Sequence, residues 1–171
     1  IVHQGIKQQV IEKVHTGKKV ILYLAPAKPY KGWNILKKAC DQLWEENKNI
    51  QLRVFSPVQK IEDYMIVKEE GFNHDELAQI MSEADMLVAP SVWYETFGFT
   101  VIESLNFEVP VIVSDHVGAK DVIGNNGFIV QAGNVNELKN AIKNMDKNVN
   151  IKLKTWKEFL NENYRIYKNS K

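Results

Sequence analysis

Glu95 and Glu103 flank the run Thr96-Phe97-Gly98-Phe99-Thr100-Val101-Ile102 in a Glu-x7-Glu arrangement, two carboxylates around a glycine-bearing turn. Upstream, Asp85-Met86-Leu87-Val88-Ala89 reads as a buried strand stopped by Pro90, which cannot donate to a sheet ladder. Downstream, Gly98, Val101, Ile102 and Leu105 fall at i, i+3, i+4 and i+7, so a helix is expected to begin between Gly98 and Thr100. A helix start after a parallel strand offers unpaired N–H groups and the positive end of the dipole, which is anion-binding chemistry. Gly98 removes the side chain that would hold a phosphate away. The dipole supplies only about 0.3–2 kcal/mol, so cations and hydrogen bonds must add the rest.

Lys31, beside Gly32 at another expected helix start, opposes the dipole there, and a nearby anion would account for it; a solvated surface lysine is the alternative. Glu103 also fits a capping box with Thr100, while Glu95 precedes that box and reads as a loop acid at the ligand edge or a solvated one. Ser91 and Thr96 read as turn residues. Trp93 and Tyr94 either wall a ligand pocket or close the core.

The elements that must position these groups alternate. Val20–Ala25 reads as a strand, followed by the loop Pro26-Ala27-Lys28-Pro29-Tyr30-Lys31-Gly32 and a helix with Leu36, Ala39, Cys40 and Leu43 inward. Ile50–Phe55 is a second strand and Tyr64–Val67 a weaker one. Asn73 and Glu76 cap a helix that buries Leu77, Ile80, Met81 and Ala84. Val109–Val113 and Phe128–Val130 are further strands, the latter after a turn at Gly124-Asn125-Asn126-Gly127. A helix spans about 134–145, with Val135, Leu138, Ile142 and Met145 inward. Val2, Ile6, Val10 and Val14 suggest a packing helix or linker over 1–18, and Leu153, Trp156, Leu160, Tyr164 and Tyr167 a last helix over 150–171. The alternation implies one α/β domain over 1–171, a Rossmann-like doubly wound parallel sheet.

At 171 residues, 44% hydrophobic and 25% charged, the chain can bury a real core. A net charge of +1 gives no case for a nucleic-acid partner. The lysines at 147, 152, 154, 157, 168 and 171 read as a solvated face, with contact to an anionic membrane surface as the alternative. The single cysteine, Cys40, excludes an internal disulfide and reads as a buried thiol in a reducing compartment. His3, His15, His74 and His116 lack ligand spacing, so no metal site is expected. The chain opens at Ile1 in helix-like sequence, from which a fragment of a longer polypeptide is expected.

Taken together, the Glu-x7-Glu with Phe97-Gly98 inside it, the preceding Ala-Pro-Ser, the following Val-Pro-Val-Ile-Val-Ser-Asp, Lys31-Gly32, Asp75-Glu76-Leu77, Ala84-Asp85, Asn126-Gly127-Phe128 and Trp156 form a recognisable set. It resembles the C-terminal half of a retaining GT-B glycosyltransferase of family 4, the glycosyl transferases group 1. The resemblance implies a donor-binding domain for a nucleoside-diphosphate sugar, whose acceptor glycan or lipid-linked acceptor is held by an N-terminal domain absent from this chain. It implies Glu95 on donor-sugar hydroxyls, Glu103 on the ribose, Lys31 on the diphosphate, and the N–H groups of Phe97, Gly98, Phe99 and Thr100 against sugar and diphosphate. No cofactor and no divalent metal are implied. Polysaccharide or glycoconjugate synthesis in the cytoplasm, at the inner membrane face for a lipid-linked acceptor, is the implied setting, and the isolated half is expected to turn over little. One departure is that Ala25-Pro26 stands where the family has Gly-Arg, and Lys28 is the nearest replacement for the missing cation. A GT-B sugar-nucleotide epimerase and a non-catalytic nucleotide-binding module are the alternative readings.

Overall fold

The computed structural model describes residues 11–14 and 17–145. Within them six strands form one sheet: β1 (Lys19–Tyr23), β2 (Ile50–Val54), β3 (Met65–Val67), β4 (Met86–Ala89), β5 (Val111–Ser114) and β6 (Gly127–Val130). Every pairing is parallel and the order is β3-β2-β1-β4-β5-β6. The chain therefore winds one way from β1 and the other way from β4. The gap between their carboxyl ends is the switch point where open α/β sheets take ligands.

Among the described residues five α-helices cover the faces. Alpha helices α1 (Trp33–Asn47) and α5 (Val135–Asn144) bury Leu36, Cys40, Leu43, Leu138 and Ile142 against Ile21, Tyr23, Leu52 and Val88 on one face. The helices α2 (Leu77–Ser82), α3 (Phe99–Asn106) and α4 (Lys120–Ile123) bury Leu77, Met81, Val101, Leu105 and Ile123 against Leu22, Leu87, Val111 and Val113 on the other. Because successive strand residues point to opposite faces, Ile21 and Leu22 belong to different cores. Cys40 is fully buried, and loss of hydration pushes its thiol pKa well up, as expected of a structural cysteine.

Three expectations change. The strand expected from Val109 begins at Val111, since Pro110 has no N–H to give, although its carbonyl accepts from Leu87 N–H at 2.9 Å. Lys120–Ile123 form a short helix, α4, in a stretch for which no helix is expected from the sequence. Val14, expected on a buried helical face, is exposed; residues 11–14 run without regular structure, with Val14 N–H donating to Ser82 O at 3.0 Å. The rest of the 1–18 reading and the 150–171 helix lie outside the described residues. The Asn73 cap is present: Glu76 Oε2 accepts from Asn73 N–H at 2.7 Å.

Candidate functional site

Three loops rise from the carboxyl ends of β1, β4 and β5, and main-chain bonds tie them together. In the first, Tyr23 is buried at the end of β1 with its hydroxyl donating to Pro26 O at 2.9 Å, which fixes the loop's path. Pro29–Lys31 form a 3₁₀ turn and Gly32, at φ +77°, starts α1. A Cβ on Gly32 would lie 1.9 Å from Pro90 O, so only glycine lets the first loop lie against the second. The carbonyl of Tyr30 accepts from Val92 N–H at 3.0 Å and Trp93 N–H at 3.1 Å. Buried Ser91 donates to Trp93 O at 2.9 Å, and Ser114 donates to Ser91 O at 2.6 Å.

The third loop grips the segment that carries Glu95. Glu95 N–H donates to His116 O and Gly118 N–H to Glu95 O, both at 2.9 Å. His116 Nδ1 lies 2.8 Å from Val92 O; a carbonyl only accepts, so this nitrogen carries the hydrogen. The His116 ring stacks on Tyr94 at 4.0 Å between centroids. Gly98, at φ +96°, caps α3, and a Cβ there would meet Val117 Cγ1 at 2.8 Å.

This frame brings together residues distant in sequence. Lys31 Nζ lies 3.0 Å from Glu95 Oε1, with both side chains about a quarter exposed. Lys31, Glu95, Phe97, Gly98 and Phe99 line one open cleft of about 360 Å³ at the start of α3. Thr100 stands next in the first turn of α3, outside that lining, and Glu103 one turn further along. Lys28 is exposed at the entry to the 3₁₀ turn, with no side-chain cap bond, and Pro26 beside it is exposed too.

An exposed-to-intermediate ion pair of this kind is worth roughly 0.2–1 kcal/mol, whereas a hydrogen bond to a charged group contributes about 1.5–3 kcal/mol.

The capping-box reading of Glu103 does not hold. The left-handed Gly98 starts the helix earlier than Thr100 would as a cap, so Thr100 lies inside the helix and is not its N-cap. Burial raises the Glu103 carboxyl above its usual range, and nearby His74 partly offsets that. A raised carboxyl pKa means that protonated Glu103 contributes stability below the ordinary value of 4.5, and that this is lost as pH rises through the raised value. Glu103→Gln is thus expected to melt higher than the parent at neutral pH, with the gap closing as pH falls. Thermal melts across that range check it, and a pH-independent gap would refute it.

Trp93 and Tyr94 are exposed and do not close the core. Ser91 serves the loop frame, as a turn residue would. Sequence reasoning missed the third loop: its hold on Glu95 is mainly through backbone atoms, and only the glycine and histidine at 116–118 hint at it. Among the described residues no group of three or more His, Cys, Asp or Glu is placed to hold a metal ion, and no helix is long and apolar enough to cross a membrane.

The model of the family described as glycosyl transferases group 1 matches residues 6–161. Among solved structures the chain is similar to Anabaena HepE in complex with UDP and glucose, at 23% identity and TM-score 0.64, over 74% of this chain and 38% of that one. It is similar to sucrose-phosphate synthase from Thermosynechococcus elongatus at 26% identity and TM-score 0.65, over 76% and 36%. TarM of S. aureus aligns at 18% identity and TM-score 0.67, over 80% and 30%. The chain thus spans only about a third of the length of these structures. No curated protein matches its sequence.

Proposed function

The chain belongs to the glycosyl transferases group 1 family, and from that premise we propose that it is the donor-binding half of a retaining GT-B hexosyltransferase of family 4, with a nucleoside-diphosphate sugar as its donor. The observation that carries the reading is the meeting of Lys31 and Glu95, from two loops at the sheet's switch point, beside the N-terminus of α3. In this reading the diphosphate lies on the first-turn N–H groups of α3, Lys31 leaves Glu95 for a phosphate oxygen, and Glu95 accepts from donor-sugar hydroxyls. Glu103 holds the ribose, its cost as a buried carboxylate being offset by the two hydroxyls it accepts from. The bond from the anomeric carbon to the diphosphate oxygen breaks with its electron pair leaving on the phosphate. The acceptor oxygen bonds to the same face of that carbon, and its proton passes to the departing diphosphate.

Positive charge placed in advance where negative charge develops lowers the barrier, and here Lys31 and the helix start take that role without a divalent metal. Lys28, two residues after Pro26 in the same loop, is the candidate to replace the cation that Pro26 does not supply. The acceptor, a glycan or a lipid-linked glycan of cell-surface synthesis met at the inner membrane face, comes with the rest of the protein, so this half alone turns over little.

Calorimetry of the chain against UDP, GDP and ADP tests the reading. One of the three is expected to bind, and Glu103→Ala to weaken it about tenfold through loss of charge-assisted hydrogen bonds. Absence of heat from all three would sink it. If nucleotide binds but the enzyme carrying the domain transfers nothing, the exposed Pro26 marks a non-catalytic binding module instead.

A further inference from the structure

A second cleft, of about 330 Å³, shares the Lys31–Glu95 pair and is walled by Tyr30, Trp93 and Tyr94. Lys31, Tyr94 and Glu95 line both clefts. Tyr30 is 48% exposed, Trp93 70% and Tyr94 76%, so three large aromatic side chains stand largely in water around one ion pair. Contiguous exposed apolar surface of this kind marks an interaction site.

We propose that Tyr30, Trp93 and Tyr94 seat a pyranose ring of the acceptor, so that this half of the protein binds part of both substrates. The proposal rests on the donor reading above. If the donor's diphosphate occupies the helix-start cleft and its sugar reaches Glu95, the neighbouring cleft that shares Glu95 and Tyr94 is the one open to the group that receives the sugar. The chemistry of that cleft fits a sugar. A pyranose carries an apolar C–H face that packs on the electron-rich face of an aromatic ring, and a rim of hydroxyls that can donate to the second oxygen of Glu95.

The frame beneath these rings is built before any ligand arrives. The Tyr30 carbonyl holds the backbone of both Val92 and Trp93, Ser91 holds Trp93 O, and His116 holds Val92 O while stacking on Tyr94. Rings carried on a fixed backbone lose less conformational freedom on binding than rings on a loose loop, which favours a weak, rigid ligand such as a sugar ring.

The test is amide and indole NMR of the ¹⁵N-labelled chain in saturating UDP, titrated with maltose and with cellobiose. The Trp93 indole signal is assigned by its loss in Trp93→Phe. One or both disaccharides are expected to shift that signal, and Trp93→Ala to weaken the sugar about tenfold while leaving UDP affinity within about twofold. The proposal is overturned if neither disaccharide moves the Trp93 signal, or if Trp93→Ala binds sugar as the parent does. It is also overturned if the chain self-associates in sedimentation and Trp93→Ala abolishes that, which assigns the rings to a second copy. A sugar-induced shift at Trp93 with no response of the Phe99 and Thr100 amides to UDP, GDP or ADP upholds the sugar seat and removes the donor reading instead.

Discussion

Lys31→Ala is expected to lower kcat of the enzyme carrying this domain by about 10²–10³-fold, the scale of losing one preorganised charge-stabilising group, while barely moving the stability of the fold. The two halves of this expectation come from the same geometry. Lys31 is about a quarter exposed and its partner Glu95 equally so, and a pair this wet contributes at most about 1 kcal/mol to folding. In the proposed transition state the same ammonium faces a departing diphosphate, whose negative charge grows as the bond breaks and which the ground state lacks. Among the described residues Lys31 is the one cation that lines the cleft: Pro26 has no charge to offer and Lys28 is exposed at the turn entry. Lys31→Arg should recover only part of the rate, because a planar fork replaces a compact ammonium in a space set by Gly32 behind it. Steady-state kinetics with parallel thermal melts decide the matter. An unchanged kcat in Lys31→Ala, or a loss of rate accompanied by unfolding, would contradict the assignment.

Gly32→Ala should give the largest loss of stability, about 2–5 kcal/mol from a left-handed backbone combined with overpacking. The φ of +77° is one part, and the methyl placed 1.9 Å from Pro90 O and 2.6 Å from Pro90 C is the other. Backbone cannot rotate aside as a side chain would, so the β1 and β4 loops must separate. Gly17 separates the two contributions. It has the same φ of +77° with nothing within 4 Å of an added Cβ, so Gly17→Ala carries the conformational term alone, about 1–2 kcal/mol. Urea melts of the two variants should therefore differ, and nucleotide affinity should fall only in Gly32→Ala, as Lys31 is drawn away from Glu95. Equal losses in both would show that the contact with Pro90 is relieved at no cost.

The parts of the fold that were legible in the sequence were those whose side chains face a core at a regular period. Leu36, Ala39, Cys40 and Leu43 marked α1, and Val101 with Leu105 marked α3. The helix α4 spans only Lys120–Ile123, too short for a period to register. Glu95 and Lys31 are singled out in the sequence by type and position, but their contact is not, because nothing local encodes the closeness of two loops. The capping alternative for Glu103 fails for a definite reason. Thr-x-x-Glu is a valid capping pattern, and the backbone angle of Gly98, which pre-empts it, is a property of the folded turn. The third loop stayed hidden for a related reason: the N–H and carbonyl groups that grip Glu95 belong to every residue and leave no mark in composition.

That the Val92–Tyr94 segment is held mostly by main-chain atoms has a consequence for how such a domain diversifies. The carbonyl of Tyr30, the hydroxyls of Ser91 and Ser114 and the ring of His116 all bond to backbone, and none needs a particular side chain at 92, 93 or 94. Those three positions behave as an exchangeable cassette. A library randomised there is expected to keep the scaffold and the Lys31–Glu95 pair while sampling new surfaces toward the second cleft, giving up only the stack of Tyr94 on His116.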